Sequence, residues 1–140
     1  MEFYGYPRED GRAGTRNYVG IIPTVGCSCD TARQIAHSVR GTALFTHFQG
    51  CDHTPDELEV LERTLVNLAL HPNLASVIFV SLGCEPSDVP RIAHLAQSGK
   101  HIETLVIQQD GGTLRTVERG SRLAREMVFA AAGAVREPCP

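Results

Sequence analysis

Three cysteines in this 140-residue chain share one local setting. Cys27 closes the run Ile21 to Cys27 (IIPTVGC), Cys51 closes Ala43 to Cys51 (ALFTHFQGC), and Cys84 follows the apolar run of Ala75 to Pro86 (ASVIFVSLGCEP). Each cysteine stands directly after a glycine and shortly before a helical pattern. Short apolar runs bounded by turn residues predict strands buried on both faces, as in a parallel sheet. The thiols then fall at the carboxyl ends of strands, where open α/β sheets bind ligands. A helix N-terminus favours thiolate, the form that binds metal. Soft thiolates select iron, zinc or an iron–sulfur cluster, and three protein ligands leave a position open for substrate. The competing reading for each cysteine alone is a small buried apolar residue.

Other groups that could do chemistry lie close by in sequence. His47 and His53 flank Cys51, and either is a candidate ligand or general base. Glu85 adjoins Cys84 as a supporting carboxylate or a helix-start charge. Cys29, two residues after Cys27, should point elsewhere, and His71, His94 and His101 read as surface or capping residues. In the N-terminal segment, Arg12 and Arg16 offer guanidinium forks that match a carboxylate. Cys27 to Arg33 also fits C-x5-R after a strand, the outline of a phosphatase loop, but it lacks interior glycines and a following hydroxyl residue. Neither nucleotide fingerprint, G-x-G-x-x-G or G-x-x-x-x-G-K-[ST], is present.

Composition narrows the class. The net charge is −3 and lysine is nearly absent, so no polybasic face points to nucleic acid or anionic lipid. No apolar run approaches the ~20 residues of a membrane span. The N-terminus MEFYGYPREDGR has no signal-peptide core, so a cytoplasmic setting with reduced thiols is expected. In that setting five cysteines suggest metal binding, catalysis or burial, not a disulfide framework.

The elements that must position these groups alternate strand and helix. Residues 1–16 read as an extended arm, 17–134 as the α/β domain, and 135–140 as a cut linker. Strands are predicted over Tyr18–Val25, Thr42–Phe48, Ala75–Leu82 and Ile102–Gln108. Pro23 marks a bulge or an edge position in the first. Helices are expected after Ser28 or Asp30, from Thr54-Pro55-Asp56-Glu57 with its capping box, from Pro86 to Gln97, and from Thr113 to near Gly133. Four β-α repeats imply a three-layer, Rossmann-like α/β fold: a four-stranded parallel sheet with helices on both faces. The loops 26–30, 49–54, 83–87 and 109–113 then share one edge, where helix N-termini favour anions.

The segments GYPREDGRAGTRNYVGIIPTVGCS (5–28), HFQGC (47–51), RTL to HPN (63–73), LGCEP (82–86) and IQQDGGT (107–113) resemble the central region of the altronate and galactarate dehydratases, a family that includes sulfolactate sulfo-lyase. The likeness covers nearly the whole chain. It implies a hydro-lyase acting on a sugar acid by β-elimination, with a divalent metal: iron, mononuclear or in a cluster, ahead of zinc or manganese. By position it implies metal ligation by Cys27, Cys51 and Cys84, and catalytic roles for His47, Glu85, Arg12 and Arg16. Substrate binding falls to Asn17, Ser28, Gln109, Gly111 and Gly112. Gly26 and Asp52 depart from the family pattern, which commonly has Asn and Gly there. Family members continue into a further domain, so a missing C-terminal domain or partner subunit is implied, as is a homo-oligomer. The alternatives are a non-catalytic partner or split subunit, and the phosphatase-like enzyme.

Overall fold

The computed structural model describes residues 2–140. Its centre is a parallel sheet of β3 (Tyr18–Pro23), β4 (Thr42–Leu44), β5 (Leu74–Ser81) and β6 (His101–Val106), ordered β4-β3-β5-β6. β3 and β5 are interior strands, and both read as continuous apolar runs because both of their faces are covered. α1 (Cys29–Ser38) and α5 (Thr113–Ala131) pack on one face, through Ala32, Ile35, Ala124 and Met127 against Val19, Ile21, Ile78 and Leu105. α2 (Pro55–Ala69) and α3 (Val89–Leu95) cover the other, through Leu61, Leu65 and Ile92 against Ile22, Val77 and Phe79. The four-stranded parallel sheet with helices on both faces is the architecture that the β-α repeats imply.

Several boundaries differ from the sequence expectation for local physical reasons. β4 ends at Leu44, because the Gly26 N–H donates to the Gln49 carbonyl (2.8 Å) and draws the chain across to the loop after β3. Pro23 is tolerated because β4 has already ended: the Thr24 N–H donates toward β5, so the missing N–H of Pro23 would face the side where no strand pairs. α3 begins at Val89, not Pro86, where Asp88 accepts from the Arg91 N–H (3.0 Å) and Pro90 fits the first turn. β6 stops at Val106, and residues expected to extend it form α4 (Ile107–Asp110).

A second sheet joins the two ends of the chain. β1 (Phe3–Pro7) pairs antiparallel with β2 (Ala13–Gly14) and with β7 (Glu137–Cys139). The segment read as an arm is thus paired strand, and the stretch read as linker carries β7 with Cys139 buried. Among the described residues no helix is long and apolar enough to cross a membrane.

Candidate functional site at the carboxyl edge of the sheet

The strand order reverses between β3 and β5. From β3 the chain crosses to β4 on one side, then returns past β3 to β5 on the other. Ligands of open α/β sheets bind outside such a reversal, at the carboxyl ends of the strands. The loop after β3 carries Cys27, the loop after β4 carries Cys51, and the loop after β5 carries Cys84.

All three of these cysteines are exposed, whereas Cys29 and Cys139 are buried. Exposure of three thiols on one edge counts against packing as their role, since free cysteine is among the most buried residue types. The loops that carry them also feel one another: the Cys51 thiol is held above its ordinary range, chiefly by the charge of Cys27, then by partial desolvation, with Cys84 and Asp52 adding to it. Among the described residues no group of three His, Cys, Asp or Glu side chains stands at metal-coordination spacing. Cys29 faces inward, where its thiol donates to the His47 carbonyl (2.9 Å).

Two features hold the loops together. The first is close backbone approach. A Cβ on Gly26 would sit 3.1 Å from the Phe48 backbone, and one on Gly50 would sit 3.1 Å from the Thr24 carbonyl, where φ is also +105°. Glycine at both places lets the loops bearing Cys27 and Cys51 touch. The second is Glu85. Its carboxylate accepts from the Thr24 hydroxyl (2.6 Å), the Gly83 N–H (2.7 Å) and the Leu82 N–H (3.3 Å). Burial pushes its pKa up, but the hydrogen bonds from Thr24, Ser81 and Gly83 outweigh that and hold it below the usual range. Glu85 therefore joins the loop after β3 to the loop after β5. Thr24, fully buried at the end of β3, escaped the sequence reading because one threonine after a strand carries no motif.

The histidines are engaged with backbone. His47 Nε2 lies 2.8 Å from the Pro23 carbonyl, and its Nδ1 accepts from the Gln49 N–H (3.1 Å). These bonds assign the neutral Nε2–H tautomer and leave neither nitrogen free. His53 Nε2 accepts from the Gly50 N–H (2.8 Å), and its Nδ1 faces Glu57 at 3.7 Å. Both rings line an apolar groove of about 750 Å³ between the 44–49 segment and α2.

The remaining candidates divide between the two edges. Gln109, Gly111 and Gly112 lie beyond the carboxyl end of β6, on the cysteine edge; Gly111 and Gly112 have φ of +93° and +104° in the turn between α4 and α5. Ser28 is at the cysteine edge but fully buried, its hydroxyl within bonding distance of the Val25 (2.9 Å) and Val80 (2.6 Å) carbonyls. It fastens the loop to β5 and presents nothing to a ligand. Arg12, Arg16 and Asn17 are not brought to the cysteines. They precede β3, whose six residues at ~3.3 Å each carry the chain about 20 Å to the opposite edge. There Arg12 binds Asp10 (2.7 Å) and the Leu70 carbonyl (2.7 Å), and Asn17 donates to the Ala131 carbonyl (2.9 Å) and accepts from Arg8 (2.8 Å). Arg16 lines a separate cavity of about 300 Å³ with Tyr6 and Arg136. Arg33, the arginine of the C-x5-R pattern, pairs with Asp30 on its own helix.

Residues 5–132 match the family described as D-galactarate dehydratase/altronate hydrolase, second domain. The chain is 35% identical over 138 residues to the (2R)-sulfolactate sulfo-lyase subunit beta of Chromohalobacter salexigens, covering 98% of this chain and 35% of the relative. It is 31% identical over 148 residues to the altronate dehydratase of Bacillus subtilis, covering 99% of this chain and 30% of the relative. It is 37% identical over 94 residues to the altronate dehydratase of Escherichia coli, covering 60% of this chain and 19% of the relative. The chain thus spans about a third or less of the length of these curated relatives. No solved structure matches it.

Proposed function

The chain belongs to the D-galactarate dehydratase/altronate hydrolase family, matching its second domain, and from that premise we propose that it is the metal-bearing domain of a lyase that removes water from a sugar acid. The observation that carries this reading is the placement of three exposed thiols, on three separate loops, at the edge where strand order reverses.

The chemistry of the donor set suits a soft divalent metal: Cys27, Cys51 and Cys84 would hold it once their loops draw in from their present spacing, with iron ahead of zinc or manganese. Such an ion supplies a Lewis acid for the substrate carboxylate or the leaving hydroxyl. Elimination from a sugar acid needs a proton removed from the carbon next to the carboxylate and the developing charge held. On this chain Glu85 keeps the loops bearing Cys27 and Cys84 in register through Thr24 and Gly83. Gln109, Gly111 and Gly112 border the same edge and would contact substrate. His47, with both nitrogens bound to backbone, organises the Cys51 loop. The proton is then taken by a group supplied from a further domain or subunit. Arg12 and Arg16, on the far edge, do not hold the reacting carboxylate.

A second reading, a non-catalytic subunit of a larger lyase, draws on the relative named as a subunit beta. One assay addresses both. 2-Oxo acid formation from D-altronate and D-galactarate, and sulfite release from sulfolactate, are measured without oxygen and with added iron. The chain is tested alone and mixed with the remaining portion of the Bacillus subtilis relative. Activity on mixing that is lost with Cys51→Ser supports the dehydratase domain. Activity that survives Cys51→Ser supports the non-catalytic subunit. A folded chain that yields neither 2-oxo acid nor sulfite in any mixture overturns the lyase reading.

A further inference from the structure

β4 is an edge strand. It pairs with β3 on one side, and among the described residues no strand lies on the other. The Gly41 carbonyl accepts from the Val19 N–H (3.0 Å), and the Phe45 N–H donates to the Ile21 carbonyl (3.2 Å). Backbone groups of successive residues point to opposite sides of a strand, so Thr42, Leu44 and Thr46 turn theirs to the open side. Native chains guard such an edge with charge, proline or a bulge, because it invites another strand. β6, the opposite edge of the sheet, carries the His101–Glu103 pair (2.7 Å). The run 41–46, GTALFT, carries no charge and no proline.

The helix beside this edge is equally bare. The groove of about 750 Å³ between residues 44–49 and α2 is lined on the helix side by Val60, Thr64 and Leu68, at helical spacing. Val60 and Thr64 are exposed and Leu68 is half-buried. They form a second stripe on α2, beside the Leu61–Leu65 stripe that packs into the core. Glu57 is the one carboxylate on the groove wall, and it is already engaged by the Thr54 N–H (2.8 Å).

We propose that β4 pairs antiparallel with β4 of a second copy of this chain, joining the two four-stranded sheets into one and closing the two grooves against each other. The strand is built to meet itself. Read outward from Leu44 it is close to a chemical palindrome: Thr42 matches Thr46, and small Ala43 matches large Phe45. About a two-fold axis at Leu44, Leu44 meets Leu44 of the second copy, Thr42 meets Thr46 and Ala43 meets Phe45. That register sets the outward backbone groups of residues 42, 44 and 46 opposite one another, the hydrogen-bonded pairing of an antiparallel ladder. Thr42 Oγ1 donates within its own chain, toward the Ala36 and Val39 carbonyls (3.0 Å each), and keeps a lone pair for the Thr46 hydroxyl of the second copy. Ala43 and Phe45 pack on the α2 side and Leu44 on the α1/α5 side, so each side chain meets its match on its own face. A residue on the axis faces itself, and a charge there would repel its own copy. The uncharged run 41–46 therefore favours a second copy over a partner recruited by opposite charge. Strand pairing alone falls short of the ~800 Å² that each partner of a stable dimer contributes. The two α2 stripes, brought to the same face of the joined sheet, supply the rest.

The test is sedimentation of the 140-residue chain over about 1–100 μM, joined to amide hydrogen exchange on the same samples. A dimer is expected, with the Leu44 and Thr46 amides becoming protected as it forms, while the Phe45 amide is protected in the monomer as well. Thr46→Lys and Val60→Glu change exposed positions and should each weaken the dimer at least about tenfold with the fold intact by circular dichroism. Phe129→Glu, on the exposed side of α5, should leave it unchanged. A monomer at every concentration overturns the proposal. So does a dimer that survives both seam variants, or one whose new protection lies outside residues 42–46. A chain that stays monomeric alone, but binds one-to-one to the remaining portion of the Bacillus subtilis relative and loses that with Val60→Glu, also overturns it and assigns the groove to that portion.

Discussion

Glu85→Gln tests whether one carboxylate holds the site together. In the parent the carboxylate accepts from Thr24 Oγ1 at 2.6 Å, Gly83 N at 2.7 Å and Leu82 N at 3.3 Å. Glutamine keeps one acceptor oxygen and turns the other into an NH₂ that faces existing donors. One charge-assisted bond, worth about 1.5–3 kcal/mol, is lost and the rest become neutral. Thr24 keeps a weak alternative in the Val80 carbonyl at 3.4 Å, and Gly83 is exposed enough to bind water, which offsets part of the loss. The net expectation is about 2 kcal/mol at neutral pH by urea denaturation. The pH dependence supplies the second readout. The folded pKa of Glu85 lies below its ordinary value, so its contribution is complete above the ordinary carboxylate range. It is lost as pH falls through the folded pKa. Parent and variant should therefore differ near pH 7 and converge at low pH. A difference under about 0.5 kcal/mol at neutral pH, or one that persists unchanged in acid, would refute the clasp.

Three further expectations follow from other contacts. Gly26→Ala places a Cβ 3.1 Å from the Phe48 backbone and should cost about 1–2 kcal/mol, read by thermal or urea unfolding. Thr54 accepts from the Glu57 N–H, and the Glu57 carboxylate accepts from the Thr54 N–H (2.8 Å), so Thr54→Ala should cost about 1 kcal/mol in the same assay. Burial and the neighbouring Arg8 and Arg12 lower the Lys100 pKa from 10.5 to about 8. Between those values the unfolded chain holds a proton that the folded chain has released, so stability rises with pH across that window. Lys100→Met should remove the rise, and an unchanged profile would contradict it.

Much of the sheet was legible because its signals are local. The apolar run of β5 and the Leu61–Leu65 stripe of α2 with its capping box each lie within one short window. Strand-end placement of Cys27, Cys51 and Cys84 followed from the same windows. What escaped was non-local. Pairing Phe3 with Cys139 joins the two ends of the chain and leaves no trace in either three- to five-residue strand. Arg16 and Asn17 stand close to Cys27 in sequence, yet a strand lies between them, and a strand sends its flanking residues to opposite edges. Ser28 shows the same limit at shorter range: next to an exposed cysteine, it turns fully inward to the Val80 carbonyl.

Whether the three thiols act as one site is read from the iron content and visible absorption of protein prepared without oxygen. Cys27→Ser, Cys51→Ser and Cys84→Ser are compared with the parent, with thermal unfolding confirming that each is folded. The parent should hold about one equivalent of iron or more per chain, with thiolate-to-metal absorption, reduced sharply by each of the three substitutions and unaffected by Cys139→Ser. Metal content unchanged in all three variants, or a parent that binds no metal under these conditions, would contradict a shared thiolate site.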